Sequence, residues 1–109
     1  MNQQIVPWKI ASSITCVGVT SEDWNLSEIP AGEIDVPRTY STEVLFPESF
    51  NTVPVVQASL VGFDIDQRDS SRVSIAVSHI TTTGFKLAVT TWMETRVYGV
   101  EASWLAIGS

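Results

Sequence analysis

The sequence is short of the residues on which most enzymes and metal proteins depend: it has one cysteine, Cys16, and one histidine, His79. A single cysteine excludes a disulfide within the chain and any cysteine-rich metal site. Cys16 lies on an apolar stretch and reads as a small buried thiol, with a bridge to a second chain as the alternative. A single histidine gives little support to a Ser-His-Asp or Cys-His arrangement, and it falls short of the set a catalytic zinc takes. His79 ends an alternating stretch and reads as a structural or exposed residue. Uninterrupted apolar runs long enough for a bilayer-spanning helix are also missing, so membrane insertion is not expected. Positive charge is scarce, with six Lys and Arg against 12 Asp and Glu, a formal net charge of −6. The six cations (Lys9, Arg38, Arg68, Arg72, Lys86, Arg96) are scattered, and phosphate binding rests on clustered cations, which argues against nucleic acid and anionic membrane as partners. The opening "MNQQIVPWKIASSITCVGV" lacks the basic region and apolar core of a secretory signal. Cytosolic synthesis and a mature chain whose signal has been removed both remain open.

Helical periodicity never lasts ten residues. The chain instead alternates apolar and polar residues, rich in Val and Thr, over short stretches broken by turn residues. Its 109 residues suit a single domain, 1–109, and 44% hydrophobic with 17% charged residues is a globular composition. Strands are expected at "SSITCVGVT", "EVLF", "VPVVQASLVGFDID", "RVSIAVSHIT", "FKLAVTTWM" and "RVYGVEASWLAIG". "TTTG" reads as a hairpin turn between the fourth and fifth, with Gly84 available for positive φ. Six short strands and no helix make an all-β fold, a small antiparallel β-sandwich. Ser21 to Thr42 carries Pro30, Pro37, Gly32 and several acids, and is expected to be a long surface loop. Asn25-Leu26-Ser27 matches a glycosylation acceptor, a tripeptide that matters only if the chain is secreted.

Carboxylates offer two further chemistries. Asp64 with Asp66, or Glu33 with Asp35, has the count of a glycosidase pair, although acids at strand ends are usually solvated turn residues. "DIDQRD" clusters oxygen ligands as calcium prefers but misses the EF-hand spacing. Sugar binding fits better. A hexose offers hydroxyls that a carboxylate accepts from and a guanidinium donates to, and an apolar C–H face that packs on an aromatic ring. Asp35, Arg72, Trp92 and Tyr98 supply that set if the fold gathers them.

The C-terminal half adds an ordered set of motifs: Gly84-Phe85, Trp92, the "TRVY" of Thr95 to Tyr98, and Ser103-Trp104-Leu105-Ala106. With "VLFPESFNTVPVVQASLVGFDID" upstream, the stretch from Glu33 to Ile107 resembles the H-type lectin family. The resemblance implies a six-stranded antiparallel β-sandwich that assembles as a homotrimer with sugar sites near the subunit interfaces. It implies a calcium-independent lectin without catalytic activity, for glycans ending in galactose or N-acetylgalactosamine. By position, the family's sugar-binding aspartate falls on Asp35, its arginine on Arg72, and its aromatic residues on Trp92 and Tyr98. Met93 stands where the family pattern has histidine and Glu33 where it has glycine, two site positions that bear on the N-acetyl preference. The pattern's disulfide cysteines fall on Gly18 and Val89, and its trimer-linking cysteine on Asn51, which implies a reduced trimer. Phe85 and Trp104 read as core. Two other readings stand beside the lectin: a trimeric assembly module with a degenerate sugar site, and a glycosidase.

Overall fold

The computed structural model describes residues 8–29 and 35–109. It contains six strands, β1 (Lys9–Gly18), β2 (Arg38–Leu45), β3 (Val55–Ile65), β4 (Ser74–Ser78), β5 (Gly84–Thr91) and β6 (Val97–Gly108). They form two three-stranded sheets, β1-β6-β3 and β2-β5-β4, with antiparallel pairing throughout. This is the expected all-β sandwich, and the hairpin through Thr81–Gly84 pairs β4 with β5.

Alternation decides which side chains meet between the sheets. On β6, Val100, Ala102, Trp104 and Ala106 point inward and pack against Phe85, Leu87 and Val89 of β5 and Val44 of β2. Phe85 and Trp104, both buried, meet edge to face at 5.4 Å, within an aromatic group that includes Phe46 and Phe50. A second core cluster gathers Leu26, Val89, Val97 and Val100 at the loop-bearing end.

Four expectations change. β2 begins at Arg38, inside the expected loop, because Arg38–Ser41 continue the ladder with β5 as far as Thr91. The segment before it is not merely a surface loop, since Leu26 is fully buried and Trp24 packs on Tyr40. Cys16 is exposed rather than buried. On β1, Ala11, Thr15 and Val17 take the inward positions, so Ile10, Ile14 and Cys16 face out; the strand is apolar on both faces. The turn glycine also has a different role. Gly84 lies against β2, where a Cβ would collide with the Val44 carbonyl oxygen, so close approach rather than positive φ demands glycine.

Candidate functional site

The antiparallel order brings the loops β1–β2, β3–β4 and β5–β6 to one end of the sandwich. Asp35, Arg72, Trp92 and Met93 all lie on these loops, and Tyr98 lies just inside β6. Glu33 falls outside the described residues. His79 sits at the opposite end, exposed, with Nδ1 bonded to the Ser78 hydroxyl.

Side chains hold the loop that carries Trp92 and Met93. Arg38 is buried, 7% exposed, and donates from Nη1 to the carbonyls of Leu26 and Glu28 and from Nη2 to those of Met93 and Thr95. Its guanidinium thus ties the β1–β2 loop to the β5–β6 loop with no carboxylate in contact among the described residues, and burial lowers its pKa. Trp24 Nε1 donates to the Val97 carbonyl at 2.9 Å, and the Val97 amide donates to Leu26, which locks the same pair of segments. Above this clamp, Trp92 is 36% and Met93 38% exposed. Met93 adopts a positive φ of 59°, a conformation disfavoured for a side chain with a Cβ and held here by the clamped backbone.

Arg72 is fixed from the same loop. Its Nη1 donates to Thr95 Oγ1 at 3.1 Å, while Thr95 Oγ1 donates to the Ser70 carbonyl and Thr91 Oγ1 to the carbonyl of Arg72 itself. Thr91 and Thr95 are fully buried, and their hydroxyls act as struts between the β3–β4 and β5–β6 loops. Arg72 is therefore tied to the strand end and loop that carry Trp92 through two threonines, Thr91 at its carbonyl and Thr95 at its guanidinium.

Tyr98 is placed by a β-bulge. Asp64 pairs with Gly99 and Ile65 with Val97, so Tyr98 has no partner on β3. Strict alternation from Val100 would send Tyr98 into the core. The bulge puts Val97 there instead and turns the phenol toward Asp66, to which it donates at 2.8 Å. Asp66 also accepts from the Arg68 amide, Nε and Nη2, and lies 3.6 Å from Arg96 Nη2. Arg96 makes a bidentate pair with Asp69. Hydrogen bonds from Arg68 chiefly, then from Tyr98, hold the Asp66 carboxyl well below the usual carboxylate range, and those from Arg96 lower Asp69. The bond to Asp66 raises the pKa of Tyr98 and keeps it neutral.

The structure thus links Arg72 to the Trp92–Met93 loop and gives Tyr98 a carboxylate partner that the sequence did not reveal. Asp35 is exposed on the approach to β2 at the same end, with no side-chain bond to the other three. Arg38, Thr91 and Thr95 were missed, and Asp66 was read as half of a carboxylate pair with Asp64 rather than as the partner of Tyr98. Arg38 had a signal, a lone cation between a proline and an apolar strand, but its four carbonyl partners come from segments distant in sequence.

Chemically, the end offers guanidinium donors, a partly exposed indole, a thioether and a phenol oxygen whose proton is already committed, which leaves its lone pairs to accept. Asp66 and Asp69 are held ionised by arginines, the reverse of the raised pKa that a glycosidase acid needs, and the oxygens of both accept from arginine donors. A rigid antiparallel sandwich presenting such groups from cross-braced loops belongs to the class of binding modules. The sequence profile of the H-type lectin domain matches residues 41–107, and the chain belongs to this family of carbohydrate-binding domains. A relative from Fuscovulum blasticum, named ATP synthase subunits region ORF 7, is 44% identical over 73 residues, 67% of this chain and 64% of that protein. Two solved structures of Dictyostelium discoideum discoidin II share the fold. The native recombinant protein aligns with a TM-score of 0.75 at 22% identity over 98% of this chain, and the wild-type protein with 0.70 at 24% over 92%. The chain spans 39% and 37% of those discoidin II chains.

Proposed function

We propose that the chain is a lectin for glycans ending in galactose or N-acetylgalactosamine, acting without calcium and as a homotrimer. Membership of the H-type lectin family carries the reading, and the braced end of the sandwich supports its location. Arg72 donates to sugar hydroxyls, Trp92 packs on the sugar's C–H face, Met93 adds a polarisable contact, and Tyr98 accepts through its phenol oxygen. Asp35 supplies the acceptor carboxylate. Met93 lacks the ring and donor of a histidine, so discrimination between the two sugars is expected to be shallow.

The outer face of sheet β1-β6-β3 supports assembly. Its rows run Ile10–Ile107–Val55, Ser12–Leu105–Gln57, Ile14–Ser103–Ser59 and Cys16–Glu101–Gly62, with Glu101 the one charged residue among them. Ile10, Ile14, Val55 and Leu105 are exposed there, on a chain whose net charge is −6. An apolar, nearly uncharged sheet face is the kind of surface that copies of a chain bury.

Calorimetric titration with N-acetylgalactosamine and galactose, in chelator, tests the reading. One site per chain at millimolar or tighter affinity is expected, and Asp35→Ala should abolish the heat while the fold persists. The same apolar face favours a second reading, a trimeric assembly module with a degenerate sugar site, and silence toward both sugars and across a glycan array would favour it.

A further inference from the structure

Beside Tyr98 lies an open hollow of about 570 Å³ lined by Asp64, Ile65, Asp66, Gln67, Arg68 and Tyr98. Its volume falls in the range of small-ligand sites. We propose that this hollow is a second subsite, which takes the sugar linked next to the terminal galactose-type residue; the inference rests on the lectin reading of Tyr98.

The donor in the hollow is pre-set. Arg68 turns Nε and Nη2 onto Asp66, which is itself 9% exposed and anchored by Tyr98 and the Arg68 amide. That bidentate pair fixes the guanidinium plane and leaves Nη1 outside it, on a side chain that is 68% exposed. An arginine held in this way loses little conformational freedom when it donates to a ligand. Gln67, exposed between the two, adds an amide that both donates and accepts, and Asp64 adds an exposed acceptor. Tyr98, assigned above to the terminal sugar, also lines this hollow, so the two sites share that residue.

Charge selects the class of sugar. Arg68 and Arg96 face Asp64, Asp66 and Asp69, one negative charge in excess, on a chain already acidic. The hollow therefore suits the hydroxyl pairs of an uncharged sugar and disfavours a uronate or sialate.

The test compares methyl galactoside with neutral galactose-terminated disaccharides of both linkages, methyl β-galactoside against lactose and methyl α-galactoside against melibiose, by titration of the intact chain. One disaccharide should bind about tenfold tighter than its methyl glycoside, the worth of one or two charge-assisted hydrogen bonds. Arg68→Ala should bring that ratio close to one, and Gln67→Ala, which removes no bond to Asp66, should lower it severalfold. Equal affinity for disaccharide and methyl glycoside in both linkages overturns the subsite and leaves the lectin reading intact. So does an advantage that both variants retain, and tighter binding of a disaccharide with a uronate as its second sugar overturns the neutral preference. Absence of binding by every probe, methyl galactosides included, overturns the lectin reading and the subsite with it.

Discussion

Arg38 carries a full charge into the interior and spends it on four backbone carbonyls, an arrangement that only a planar, many-donor side chain can satisfy. Removing it leaves those carbonyls short of donors, at a cost of about 1–3 kcal/mol. Arg38→Ala should therefore lower Tm by about 5 °C or more and shift the emission of the Trp92 loop, and Arg38→Lys should restore little of either, as thermal melts and tryptophan fluorescence can check. Asp66 gives the residue scale its pH dependence. Folding depresses the pKa of Asp66 and Asp69 below their ordinary value of 3.8, so the native state binds fewer protons there than the unfolded chain. Their contribution is complete above that pH and drains away as pH falls below it. Asp66→Asn should destabilise the protein at neutral pH, and the gap in Tm between the two proteins should narrow at about pH 2. A gap that stayed constant with pH would show that Asp66 acts through shape alone. Of these residues, Arg72 and Trp92 were legible as site candidates from their types and order. Asp66 was visible only as one of a pair of acids with Asp64 in an acidic string, because its partner Tyr98 is 32 positions away.

At the scale of elements, the strands were readable because period-2 alternation is a local property, and each stretch showed it before any partner was known. Two details were not local. The face that β1 turns inward depends on its pairing with β6, where Thr15 receives the Trp104 indole N–H, so Cys16 was assigned to the wrong side. The bulge at Tyr98 depends on the lengths of β3 and β6 between their fixed pairs, Phe63 with Val100 and Ile65 with Val97. Glycine positions set how closely strands approach. A Cβ on Gly84 would strike the Val44 carbonyl and one on Gly18 the Tyr98 carbonyl. Gly84→Val should therefore disrupt the β2–β5 ladder and leave little soluble folded protein. Gly99→Ala, where the nearest atom lies 3.6 Å from the added carbon, should be tolerated with a change in Tm of a few degrees at most, and circular dichroism melts distinguish the two.

At the scale of the whole molecule, the sandwich has one braced end and one apolar sheet face, and the two have separate expected roles. Ile14→Glu combined with Leu105→Glu places charge on the face of β1-β6-β3 and away from the loops. Light scattering should show a monomer in place of a trimer, and attachment to a galactose-coated surface should fall by about 10²-fold or more as multivalency is lost. A trimer that survives both substitutions would place the subunit contact elsewhere. The sequence by itself determined the fold class, the strand count, the core aromatic residues Phe85 and Trp104 and the family, because alternation, composition and motif order are written along the chain. The tertiary structure alone decided the facing of Cys16, the turn of Tyr98 out of the core and the clamp around Arg38. Each of these rests on atoms brought together across tens of residues, where register and bulges, rather than local pattern, select the partner.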